Sequence, residues 1–380
     1  MTGMKSSTIK SVLRDQLNSW ISTINEPEVR ELTEKNAFVT GGAISSMLLG
    51  EMPNDFDIYF KTKEAALAIA TYYVQDFNRR VNNQYKTDLK LYKQHEDYVK
   101  QLAGYYESEG KEFVDTSKWP PKPVKPMHET LVKLEDRVNC KGVIENRIIV
   151  YAKSAGVVSE TQSEYKYFEQ HGEFEADDFM RSLKADEGVQ SEIEYQQFRE
   201  DPIGYTATLA NEVKRPPGKP PGEIVGKFRP VFLSENAITL SHKMQLVVRF
   251  FGTPGEIHEN YDFAHCMCWY DLEKDHLELP SEAMQCVLSK TLIYKGSLYP
   301  IASIFRIRKF IERGWRITAG QLLKIIWQIS SLDLKDSRIL REQLIGVDQA
   351  YMKQLLLALE KKDVKIDAIY IVKLIDEIFE

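Results

Sequence analysis

Cysteine is scarce: the 380 residues hold four, at Cys140, Cys266, Cys268 and Cys286, irregularly spaced. That excludes a disulfide framework and a zinc site of closely paired thiols, and it points to a reducing, cytoplasmic setting. Long apolar runs are missing too. Nothing approaches the roughly 18 residues of a membrane span, and the polar start from Met1 to Lys10 has no signal-peptide core, so no membrane partner is expected. The seven histidines form no metal-ligand pair, and no internal repeat occurs.

What is present is an ordinary globular composition, 43% hydrophobic and 28% charged, too apolar for a disordered chain. The formal charge of −6 is unevenly spread: Glu169 to Asp201 carries eleven acids against three bases, and the remainder is close to neutral. An acidic whole therefore does not exclude a local basic site. One such site is Lys295 to Arg316, with six bases and one acid. On a helix, Arg306, Lys309 and Arg313 share a face, suited either to pairing with the acidic stretch or to holding phosphates.

Along the chain, Ser11 to Ile24 reads as an amphipathic helix and Glu28 to Glu34 as a short one. Ala37 to Thr40 reads as a strand ending in Gly41-Gly42, Ala43 to Leu49 as a helix stopped by Gly50, and Asp55 to Phe60 as a strand. Lys63 to Arg80 and 85–112 read as helices, the latter dense in Lys, Tyr and Glu, with its tyrosines expected on the core. Arg147 to Ala152, Gly156 to Ser159, Pro230 to Leu233, Ala237 to Leu240, Met244 to Phe250 and Phe263 to Tyr270 read as strands. Ser241-His242-Lys243 forms a tight hairpin turn, Arg215 to Gly226 a proline-rich loop, and nearly everything after Ser281 is helical. Cys266 and Cys268 then share a strand face as core thiols.

The chemistry rests on Asp55 and Asp57. Two residues apart on a strand, their carboxylates project from one face, an arrangement relieved by a divalent cation. Gly41-Gly42 ends a strand and opens a helix, where bare backbone N–H groups can cradle a phosphate. Together they describe a nucleotide-plus-metal site.

Gly41 to Gly50 followed by Asp55-Phe56-Asp57-Ile58 resembles the first motif of the DNA polymerase β-type nucleotidyltransferases, and more narrowly that of tRNA CCA-adding enzymes and bacterial poly(A) polymerases. Asp262 to Asp271 resembles their nucleotide-contacting strand, and Pro300 to Trp315 their neck helix. The resemblance covers less than a third of the chain, and its large inserts and short tail suit a divergent, even viral, branch. It implies an α/β (α+β) fold, with a head over 1–298 carrying helical, acidic and proline-rich inserts at about 85–230, and a helical neck and body over 299–380. It also implies template-independent transfer of a nucleoside monophosphate from an NTP to a hydroxyl, at an RNA 3′ end or tRNA-like acceptor. Two Mg²⁺ ions, replaceable by Mn²⁺, would be held by Asp55, Asp57 and Asp262 as catalytic residues. Gly41, Gly42, Ser45, Arg249, His265, Arg306, Lys309 and Arg313 would contact the nucleotide. The departures from the pattern are Ser45-Ser46 in place of Arg-Asp, Gln245 in place of a glutamate, and His265-Cys266 in place of Asn. Asp262 could serve metal or nucleotide, and Asp271 is a distant alternative to it. A protein or small-molecule acceptor, and a non-catalytic nucleotide binder, are the competing readings; the oligomeric state is open.

Overall fold

Ile9, Val12, Leu13, Leu17 and Trp20 recur every three or four residues, and helix α1 (Ser6–Ile21) buries all five on one side. The computed structural model describes residues 3–115, 119–120, 122–123, 130–138, 143–151, 228–334, 339 and 343. The acidic stretch 169–201, the proline-rich loop 215–226, the expected strand 156–159 and nearly all of 335–380 lie outside the described residues.

Helix α2 (Pro27–Asn36) starts on a proline whose fixed φ suits a first turn, and runs directly into β1 (Ala37–Thr40). Then follow α3 (Gly42–Leu48), β2 (Phe56–Phe60) and α4 (Lys63–Ser108), the last capped by the Thr62 side chain. A separate hairpin pairs β3 (Leu131–Val138) with β4 (Ile144–Tyr151). After it come β5 (Pro230–Leu233), β6 (Ala237–Leu240) and β7 (Met244–Phe251), then the short α5 (Pro254–His258), β8 (Trp269–Asp271) and β9 (His276–Glu278). The chain continues through α6 (Ser281–Ser289), β10 (Thr291–Leu292), α7 (Pro300–Glu312), β11 (Arg316–Ile317) and α8 (Ala319–Ser330). The fold is mixed α/β, with eight α-helices among the described residues.

Seven strands form the main sheet in the order β5-β6-β7-β2-β1-β8-β9. It is antiparallel except where β2 meets β7. Alternation sends Val39, Ile58, Leu246 and Tyr270 to one face, where α1 and the first half of α4 cover them. Trp20 of α1 donates its indole N–H to the Tyr73 hydroxyl of α4 at 2.8 Å, so this buried polar pair is satisfied. The opposite face carries Phe38, Tyr59 and Val247. A second hydrophobic cluster joins Phe263, Cys286 and Leu292 to Ile307, Trp315 and Ile325, on either side of residue 298.

Five expectations are corrected. The helices read at 63–80 and 85–112 are one helix of 46 residues, whose buried positions stop at Asp76. Beyond that point Leu91, Tyr98 and Tyr105 are exposed rather than packed on the core. The strand read at 263–270 is mostly not a strand: Phe263 makes one bridge to Tyr294, Ala264–Met267 is a 3₁₀ turn, and only Trp269–Asp271 pairs in the sheet. Cys266 and Cys268 therefore do not share a strand face, although both are free thiols and Cys268 is buried. The parallel pair β10–β11 also interrupts a stretch expected to be helical. No helix among the described residues is long and apolar enough to cross a membrane.

Candidate functional site

The site is built where β1, β2 and β7 lie side by side. Register sets Thr40 and Gln245 on either side of Asp57, with Asp55 just ahead of the strand. Gly41 follows Thr40 with φ +98° and ψ −154°, a conformation essentially confined to glycine. A Cβ there would stand 2.7 Å from Asp57 Oδ2, so the bare backbone is what lets the carboxylate lie against this turn. Its N–H donates to the Cys266 carbonyl at 3.1 Å, tying the turn to the 3₁₀ segment. A Cβ on Gly42 would meet nothing within 4 Å.

Burial raises both carboxyls above their ordinary value. For Asp57 the shift is large, from burial first and the Asp55 charge second, opposed by Arg306. For Asp55, Lys309, Lys243 and Arg313 oppose the burial. The charges of Arg306 and Lys309 on α7, and of Arg313 at its C-cap, thus act on the aspartates. Arg313 also donates to Ser46 Oγ at 3.0 Å and pairs with Glu51 at 2.6 Å, fixing the helix end beside α3.

Asp262 is the chief departure from expectation. Its Oδ2 accepts from Ser303 Oγ at 3.0 Å and from Arg306 Nη1 at 2.5 Å. Among the described residues no group of three His, Cys, Asp or Glu side chains could hold a metal ion. The expected set Asp55, Asp57 and Asp262 is therefore not assembled; Asp262 holds Arg306 instead. The alternative, Asp271, is buried and paired with Lys61 at 2.9 Å.

Two expected nucleotide contacts are also spent inside the protein. Ser45 donates its hydroxyl to the His265 carbonyl at 2.5 Å. His265 is fully buried, its ring 4.4 Å from Phe310 and 4.5 Å from Trp315 between centroids, and burial lowers its pKa to about 4. It is a neutral core imidazole. Arg249 lies at the far end of β7, its guanidinium between the Phe250 and Tyr299 rings and bonded to the Tyr299 hydroxyl.

Sequence reading missed the layer beneath Asp57. Thr40 Oγ1 donates to the Cys268 carbonyl at 2.9 Å and meets His258 Nε2 at 2.8 Å, and burial lowers the His258 pKa to about 4. His258 is placed by α5, whose Thr253–Glu256 capping box was a readable signal for the helix, though not for the contact 218 positions away.

A family model matches residues 11–290, well over half the chain; its description is Gad2: Gabija anti-defense 2 family protein. The chain belongs to the Gabija anti-defense 2 family. No curated protein and no solved structure matches it. This overturns the expected membership of the polymerase β-type superfamily and of its CCA-adding branch. It likewise overturns the expected function at an RNA 3′ end, because the Gabija anti-defense 2 family is one of phage-defence evasion. The matched region contains Gly41, Asp55, Asp57 and Asp262 and ends before α7, so the basic helix facing the aspartates lies outside it.

Proposed function

We propose that this Gabija anti-defense 2 family member evades the defence through an enzymatic site centred on Asp55 and Asp57, one that takes an NTP and releases pyrophosphate. The supporting observation is the pair of buried carboxyls faced by Arg306, Lys309, Arg313 and Lys243. Two like charges forced together out of water call for a divalent cation, and the surrounding cations call for phosphates. Asp55 and Asp57 fit Mg²⁺ as carboxylate ligands and would hold it. Bound there, the ion supplies charge neutralisation for a phosphate chain. Arg306, aimed by Asp262 and Ser303, and Lys309 and Arg313 would orient the phosphates, and Gly41 keeps Asp57 against the turn. A strand, glycine turn, helix and aspartate strand in this order is what a nucleotidyltransferase head would require. The acceptor belongs to the confrontation with the defence, in the cytoplasm, and not to RNA 3′ ends.

The test is plating of a Gabija-sensitive phage on Gabija-bearing cells that also express the chain. The unaltered protein should restore plating, and Asp57→Asn, at equal soluble level, should not. In parallel, purified protein with Mg²⁺ and each NTP should release pyrophosphate in the presence of the defence components. Full protection by Asp57→Asn would sink the reading.

A further inference from the structure

A second constellation stands apart from the aspartates, at the first turn of α7. Arg147 of β4 and Arg249 of β7 are 8% and 5% exposed. Both turn to one carboxylate: Arg147 Nε lies 2.7 Å from Glu145 Oε2, and Arg249 Nη2 lies 3.8 Å from the same oxygen. Among the described residues these two guanidiniums share one carboxylate, a local surplus of positive charge. Arg147 Nη2 and Arg249 Nε, both buried, have no hydrogen-bond partner. Such donors are costly to leave unmet, and guanidinium cannot escape the cost by losing its proton. The Arg249 plane is fixed by the flanking rings of Phe250 and Tyr299, 4.8 and 5.1 Å away. Tyr299 is the N-cap residue of α7, so the positive end of that helix dipole lies on the same side.

We propose that Arg147 and Arg249 form a second anion site, which takes a phosphate group. Two guanidiniums offering N–H donors from different strands suit a tetrahedral, doubly charged acceptor better than a planar carboxylate. The site is distinct from the first. Gln245 lies beside Asp57, and Arg249 is four residues further along β7, roughly 13 Å at the usual rise of a strand. A bulge separates the two positions, where the Val248 and Arg249 N–H groups both donate to the Asn236 carbonyl, at 3.0 and 3.2 Å, so the alternation that places Gln245 beside Asp57 does not extend to Arg249. The inference does not depend on the catalytic reading of Asp55 and Asp57.

The experiment is a calorimetric titration of the full chain with inorganic phosphate and, separately, with AMP, at ionic strength held constant with chloride. The unaltered protein and the surface control Lys35→Gln should bind alike, and Arg306→Gln reports on the site at the aspartates. Arg249→Gln and Arg147→Gln should lose about tenfold or more in affinity, the scale of one charge-assisted contact. Circular dichroism confirms folding, and should one variant not fold, the other carries the comparison. Tighter binding of AMP identifies an ester as the ligand, and tighter binding of inorganic phosphate identifies the free anion. Absence of binding to the unaltered chain, or unchanged affinity in the arginine variants, overturns the inference. Loss in Arg306→Gln alone would put the phosphate at the aspartates, overturning this site while leaving the first reading intact.

Discussion

Replacing Gly41 with alanine tests the turn on which the site depends. Two costs add. The backbone at φ +98°, ψ −154° is a region where a side chain costs about 1–3 kcal/mol. The new methyl would also stand 2.7 Å from Asp57 Oδ2, and a buried carboxylate against Asp55 has little room to retreat, at the roughly 1–3 kcal/mol of an overpacked core. Gly41→Ala should therefore lose about 2–6 kcal/mol in urea unfolding, a large share of the 5–15 or so that domains possess. Gly42→Ala is the control: its methyl meets nothing within 4 Å at the first position of a helix, and its stability should stay within about 1 kcal/mol. A cycle separates the two costs. With Asp57→Ala in the background, the nearest remaining atom is Cβ at 3.5 Å, an ordinary contact, so only the backbone strain should survive. A Gly41→Ala protein within about 1 kcal/mol of the unaltered one would refute the reasoning, as would an effect indifferent to the Asp57 background.

Two further outcomes follow from the buried charges. The raised carboxyl of Asp57 keeps its proton in the folded state at pH values where the unfolded chain has lost it. Stability should therefore fall as pH rises from the ordinary carboxylate value of about 4 toward the folded value, and Asp57→Asn should flatten that slope in melts without divalent cations; equal slopes would contradict the burial. Arg306→Met should cost about 1–3 kcal/mol by leaving the buried Asp262 carboxylate without its cation, discounted because the arginine itself is partly exposed, and adding Asp262→Asn should recover most of the loss in denaturant titrations.

The elements around the aspartates were legible because their signals are local. A 3.6-residue stripe marks α1, a glycine pair ends β1, and alternation marks β2. The segment after Asp262 was not, because an apolar run such as Phe263 to Tyr270 suits a strand and a buried turn equally well. What decides is that Phe263 and His265 both pack under Phe310, in the second cluster. The pairing of Asp262 was not legible for the same reason: Arg306 stands 44 positions on, and no local pattern records that contact. The tyrosines of 92–106 follow a helical stripe that looks buried, yet no element is there to bury Tyr98 or Tyr105 among the described residues. Family membership is a different kind of signal. A glycine turn and an Asp-x-Asp recur wherever phosphate and metal are handled, whereas a match over residues 11–290 discriminates between families.

Helix α4 is also a lever. Its last buried residue, Asp76, is clasped by Arg79 and Arg80, and Tyr105 stands 29 residues further on, about 44 Å along the axis. A tilt of only 10° or so at that clasp would sweep the tyrosine through about 8 Å, more than the width of a side chain. Any repacking at the sheet that tilted this helix would be magnified along its length in the same ratio.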